Sequence, residues 1–193
     1  MKKIVAIYGS PRKKGNTARL LDQAVEGARQ GGAQVETIRL SRLKMSPCLE
    51  IYGCKADGRC VIKDDFQGVY DSLLECSGLI LASPIFFYSV SAQVKIMMDR
   101  CQSLWVKKYW IQGAKFGQKN YRRKGLFIAV GATHGEKLFQ GAQACVRYFY
   151  DVLDMEPWGD LYFRGLDGAD DVLEHPEYLE QCRQAGRDLA LAL

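Results

Sequence analysis

The loop Gly9-Ser10-Pro11-Arg12-Lys13-Lys14-Gly15-Asn16-Thr17 gathers two glycines, two hydroxyls, one amide and three cations within nine residues. Gly9 and Gly15 allow a tight backbone turn, and Ser10, Asn16 and Thr17 offer side-chain donors. The first amides of a helix starting here would add partial positive charge, and Arg12, Lys13 and Lys14 add full charge, so the chemistry expected is anion binding, most simply a phosphate. Gly15 is followed by Asn16-Thr17 rather than Lys-Ser/Thr, which excludes a Walker loop, and the dinucleotide GxGxxG spacing is absent. A solvated turn with Asn16 or Thr17 as a plain helix cap is the competing account.

Two further loops carry residues suited to a flat ligand. Ser83-Pro84-Ile85-Phe86-Phe87-Tyr88-Ser89 holds three consecutive aromatics. Against an apolar ring they could stack, while amides near Ser89 to Ser91 could bond its polar edge. Packing of Phe86 and Phe87 onto the body of the protein is the alternative. Gly131-Ala132-Thr133-His134-Gly135 is small enough for a ligand to approach closely, with His134 read as a ring contact rather than a catalyst.

Seven cysteines, an odd number, argue against a secreted disulfide framework and leave free thiols or a metal cluster. With His134 and His175 the only histidines, a zinc site built on several imidazoles is excluded. Asp167, Asp170, Asp171 and Glu174 lack calcium-loop spacing and read as a solvated turn. The net charge of +5 is too mild for a dedicated nucleic-acid binder. Around residues 103–123, Trp105, Tyr109, Trp110, Phe116 and Tyr121 interleave with Lys107, Lys108, Lys115, Lys119, Arg122, Arg123 and Lys124. A single-strand binder would use such a surface. A cover for the ligand or an oligomer interface accounts for it better, so no nucleic-acid partner is expected. No apolar run reaches the roughly 20 residues of a membrane span, and no signal h-region follows Met1-Lys2-Lys3. A cytoplasmic protein without a membrane partner is expected.

The elements that must position these loops alternate along the chain. Strands are expected at 3–8, 34–40, 78–82, 125–130 and 157–163, and helices at 17–30, 66–76, 91–101, 136–153 and 176–193. Ser41 to Asp65 is a long irregular segment, the kind that usually has a function. The expectation is a single α/β domain over 1–193, a doubly wound five-stranded parallel sheet in three α/β/α layers. Ligands of such sheets bind beyond the carboxyl ends of the strands, where all three loops lie.

GSPRKKGNT, then ASPIFFYSVSAQVKIMMDR over 82–100, then VGATHG resemble the NADPH-dependent FMN reductase and iron–sulfur flavoprotein families, which share the flavodoxin-like fold. The resemblance spans about residues 3–150. It implies that Ser10, Arg12, Gly15, Asn16 and Thr17 hold the FMN phosphate. Ser83, Pro84, Ile85, Phe86, Phe87, Tyr88 and Ser89 would line the ring, with Gly131, Ala132, Thr133, His134 and Gly135 at its other edge. It further implies an oxidoreductase using NAD(P)H to reduce flavin, quinone or a similar small acceptor, as a homodimer or homotetramer with no catalytic side chain. The alternative is an electron-transfer protein fed by a ferredoxin-like partner docked on the basic segment. Iron–sulfur flavoproteins carry C-x2-C-x2-C-x(4–7)-C for a [4Fe–4S] cluster. Here Cys48, Cys54 and Cys60 match the first, third and fourth positions and Ile51 takes the second. Ile cannot ligate iron, so loss of the cluster is favoured over a three-cysteine cluster. Cys76, Cys101, Cys145 and Cys182 are expected to be small buried residues.

Overall fold

A computed structural model describes residues 2–193. Strands β1 (Lys3–Tyr8), β2 (Gln34–Arg39), β3 (Gly78–Pro84), β4 (Arg123–Val130) and β5 (Met155–Phe163) form one sheet in the order β2-β1-β3-β4-β5. All four pairings are parallel. This is the flavodoxin-like order, whose switch point lies between β1 and β3. β1, β3 and β4 are buried nearly throughout, because helices cover both faces. β2 and β5 are only half-buried because they are the edges, as the apolar–polar alternation of QVETIR anticipates for β2.

The side-chain alternation of each strand splits the core in two. Ile4, Ala6, Ile80, Ala82, Leu126 and Ile128 face α1 (Asn16–Gln30) and α6 (Pro176–Ala192). Val5, Ile7, Leu79, Leu81, Phe127 and Ala129 face α2 (Phe66–Glu75), α3 (Ala92–Arg100) and α5 (Gln140–Val152). Each helix presents one apolar stripe; in α1, Ala18, Leu21, Val25 and Ala28 are all buried as their spacing requires.

Several boundaries differ from the sequence reading. The expected helix 136–153 begins only at Gln140, because Gly135 to Phe139 is taken up in turns that bury Leu138 and Phe139. β4 and β5 each start two residues early, Arg123 pairing with Met155. The segment after α3 continues as a short helix, α4 (Gln102–Trp105), and a π-helical turn (Val106–Ile111).

The segment around 103–123 is anchored at two places. Trp110 stacks against Lys55, and the Lys107 side chain lies over Gly58, so it packs on the cysteine-bearing loop. Lys108 pairs with Asp154 at 2.9 Å and Tyr109 bonds Asp151, fastening it to the end of α5. Cys76, Cys101 and Cys182 are buried, but Cys145 is only half-buried, its sulfur 3.6 Å from Met98 Sδ. No helix among the described residues is long and apolar enough to cross a membrane.

Candidate flavin site

At the carboxyl edge, the loops after β1 and β3 are joined by a chain of buried hydroxyls. Gly9 N–H donates to Ala82 O at 2.8 Å. Ser91 Oγ donates to Gly9 O at 2.6 Å, and Ser91 N–H donates to Ser83 Oγ at 2.9 Å. Ser83 and Ser91 are fully buried, and Ser91 also caps α3 by accepting from Val94 N–H. A Cβ on Gly9 would stand 2.3 Å from Val94 Cγ2, so only glycine lets the first loop lie this close to α3. Ile85 N–H donates to Val130 O at 2.8 Å, which ties the aromatic loop to β4 and the third loop.

The phosphate-type loop leaves the head of α1 open. Gly15 is the N-cap and no side chain caps the helix, unlike α3. The first amides of α1 have no intrahelical acceptor, and a bound anion would satisfy them. Ser10 Oγ accepts from Arg12 N–H at 3.2 Å and shapes the turn, while Arg12, Lys13 and Lys14 stand exposed around it. Arg39 lies 3.8 Å over the Tyr8 ring and donates to Lys13 O at 3.4 Å, adding a fourth cation beneath the loop. Burial, then a 2.6 Å bond to Asp22, pushes the Tyr8 hydroxyl far up, so it stays a neutral donor.

Asn16 and Thr17 are buried. In the Asn16 side chain, Nδ2 donates to Gly168 O at 2.7 Å and Oδ1 accepts from Val172 N–H at 3.1 Å. Its backbone amide and the second Nδ2 hydrogen are what remain for an anion. The side chain pins the 167–172 turn, whose Asp171 accepts from the amides of Asp167 and Gly168 and whose Asp170 pairs with Arg19.

The aromatic loop ends in a two-residue turn closed by reciprocal bonds between Phe86 and Ser89, each 3.0 Å. Its central residues, Phe87 and Tyr88, have φ of 50° and 61°. Bulky side chains rarely adopt this left-handed region, at a cost of about 1–2 kcal/mol each. Phe87 is wholly exposed, at 102%, and Phe86 and Tyr88 are half-exposed, so these rings do not pack down onto the sheet. Tyr88 is seated by two glycines: a Cβ on Gly141 would clash with its carbonyl at 2.5 Å, and its hydroxyl lies beside Gly135. Gly131 is buried, Ala132 to Gly135 are exposed, and the His134 ring rests on Gly165. The anion loop, a strained aromatic turn and a small-residue rim therefore meet at one edge, a set that fits a phosphorylated flat cofactor.

The cysteine segment is organised by Arg100, which sequence reasoning passed over because its signal, one basic residue at a helix end, is commonplace. Arg100 is 1% exposed. It contacts Asp64 at 2.6 and 3.1 Å and donates to Ser46 O, Ile62 O and Cys60 Sγ, the last from Nε at 3.2 Å. Burial would raise the Asp64 carboxyl, but Arg100 and the Ser46 and Phe66 amides outweigh it and hold it below its ordinary value. Burial raises the Cys54 thiol, and the neighbouring Cys60 and Cys48 add to this. Ile51, half-exposed, stands where a four-thiolate set needs its second cysteine, and its side chain cannot ligate iron. These residues do not fit a [4Fe–4S] cluster.

The chain matches the NADPH-dependent FMN reductase family over residues 2–162. It belongs to that family. An iron–sulfur flavoprotein of Methanocaldococcus jannaschii is 35% identical over 131 residues, 68% of this chain and 63% of that protein. A second from the same organism is 31% identical over 171 residues, covering 86% and 80%. The chain thus spans a little under two thirds of the first of these relatives. Among solved structures, the FMN-dependent NADH-azoreductase of Bacillus anthracis in complex with FMN superposes with a TM-score of 0.71 at 13% identity, covering 98% of this chain and 100% of that one. That likeness concerns the fold.

Proposed function

We propose that this chain is an FMN-dependent oxidoreductase that takes electrons from NAD(P)H and delivers them to a small acceptor such as a free flavin or a quinone. The observation that carries the reading is the meeting of an uncapped, cation-ringed helix start with an outward-facing aromatic turn at the switch point of the sheet. Family membership supports it.

In this reading the amides of Gly15 to Thr17, the Ser10 hydroxyl and Arg12 hold the phosphate. Ser83 to Ser89 lie along the ring, with Phe86, Phe87 and Tyr88 excluding water from it, and Gly131 to Gly135 border its far edge. Bound FMN would supply the two-electron chemistry, and the protein supplies position and electrostatics. Amides of the aromatic turn not used in its own closure stabilise negative charge on the ring. No side chain acts as acid or base. An apolar groove of about 680 Å³ between α3 and α5, bordered by Lys95, Asp99, Arg147 and Asp151, supports a homo-oligomer, since a face carrying both signs suits a second copy of itself.

A second reading, an electron-transfer protein fed by an acidic ferredoxin-like partner, is favoured by one feature: Lys115, Lys119 and Arg122 are exposed, and residues 102–124 contain no acidic side chain. Steady NADPH oxidation by FMN-loaded protein with a quinone, and no protein donor, is the result expected of the first reading. Turnover only when a reduced acidic carrier is added would replace it with the second.

A further inference from the structure

We propose that Cys54 and Cys60 form a thiol pair that a peroxide oxidises to a disulfide, in the segment that resembles a cluster motif but has Ile51 at its second cysteine position. The proposal starts from the misfit of that segment to a four-thiolate cluster and does not depend on flavin binding.

Residues 53–61 close on themselves. Gly58 N–H donates to Cys54 O at 2.8 Å, and Gly53 lies so close to Val61 that a Cβ on it would stand 2.4 Å from Val61 Cγ1. Cys54 and Cys60 are the next residues inward from that contact, one on each arm of the closed lobe. The lobe is braced from outside by the Tyr70 hydroxyl, 2.8 Å from Gly58 O, and by the Lys107 side chain over the same glycine.

The two sulfurs differ in setting. Cys60 is fixed: Arg100 Nε donates to its sulfur and Gln67 Nε2 donates to its carbonyl at 3.2 Å. The Arg100 bond holds the Cys60 sulfur in one place, and we assign it as the attacking sulfur. Cys54 sits in a short helical turn, Gly53–Lys55, with no cation bonded to its sulfur among the described residues, which suits the resolving thiol. Both are partly exposed. By contrast Cys76, Cys101 and Cys182 are buried, and burial pushes the Cys76 thiol up to about 11 and that of Cys182 to about 12.

In the first step the Cys60 sulfur attacks hydrogen peroxide. An S–O bond forms, the O–O bond breaks, and one water leaves with the thiol proton, giving a sulfenic acid. In the second, Cys54 sulfur attacks that sulfur. The S–S bond forms, the S–O bond breaks and a second water leaves. Two thiols lose two electrons and two protons, and one peroxide becomes two waters.

The test is non-reducing peptide mapping of full-length, FMN-loaded protein, reduced anaerobically and titrated with hydrogen peroxide, with iron and sulfide assayed on the same sample. The expected product is a Cys54–Cys60 linkage at one peroxide per chain. In Cys54→Ser, Cys60 should accumulate as a dimedone-reactive sulfenic acid, and Cys48→Ser should oxidise as the natural chain does. Thiols that stay free at stoichiometric peroxide, a predominant linkage through Cys48, or four iron and four sulfide per chain would each overturn the proposal.

Discussion

Replacing Phe87-Tyr88 by Asn-Gly should stabilise the apoprotein while weakening its hold on FMN. Both residues sit at positive φ in a two-residue turn, where Asn-Gly is the favoured pair. Relief of two left-handed bulky residues is worth about 2–4 kcal/mol. Set against this are the half-buried Tyr88 contacts and the added chain entropy of glycine, the latter about 0.5–1 kcal/mol. Phe87 loses nothing, being fully exposed. A net gain of about 1–3 kcal/mol remains, which at about 2–4 °C per kcal/mol for a chain of this size raises Tm by about 2–12 °C. Loss of ring–ring contact, about 0.5–1.5 kcal/mol, should weaken FMN binding by about 2- to 13-fold. Calorimetry of the apoprotein and a fluorescence titration with FMN read the two effects. A lower Tm with unchanged FMN affinity would refute the argument that this turn stores strain for the sake of the ring.

Three other perturbations follow from the same geometry. Gly9→Ala drives a methyl into Val94 and Ala82 O and should cost about 1–3 kcal/mol in denaturant unfolding, with FMN affinity falling too because the phosphate loop must shift. Asn16→Ala removes two buried bonds and should cost about 1–3 kcal/mol, with faster hydrogen exchange confined to the 167–173 turn rather than spread over the phosphate loop. Asp64 has a lowered carboxyl in the folded state, so its contribution is complete above the unfolded value of 3.8 and is lost as pH falls through and below that value. Asp64→Asn should destabilise by about 3–5 kcal/mol at neutral pH by leaving Arg100 buried and unpaired, and should flatten the fall in stability below about pH 4 followed by circular dichroism.

Where the sequence carries strong periodicity, the structure follows it closely. β1 and α1 fall within a residue of their expected bounds, because a β-branched run ending in glycine and a stripe at 3.6 spacing each admit one solution. The loops after β1, β3 and β4 lie at the carboxyl edge as expected for the same reason: each follows a buried strand. Three things were hidden. Asn16 is a donor at a helix start in any reading, and only tertiary contact shows that its amide serves the turn at 168–172. Arg100 resembles any basic residue closing a helix until Asp64 and Cys60 are brought to it over 36 and 40 residues. The path of 103–123 depends on Lys108 reaching Asp151 and Asp154, a long-range pairing that no local pattern encodes.

The central claim is that one flavin phosphate sits at the open head of α1 with its ring against Phe86 to Tyr88. It is tested most directly by anaerobic titration of the apoprotein with FMN and, in parallel, with riboflavin, following flavin fluorescence. The account predicts saturation at one FMN per chain and binding of riboflavin weaker by an order of magnitude or more, since the uncapped amides and cations recognise the phosphate. Failure to bind FMN, or equal affinity for both flavins, would contradict it.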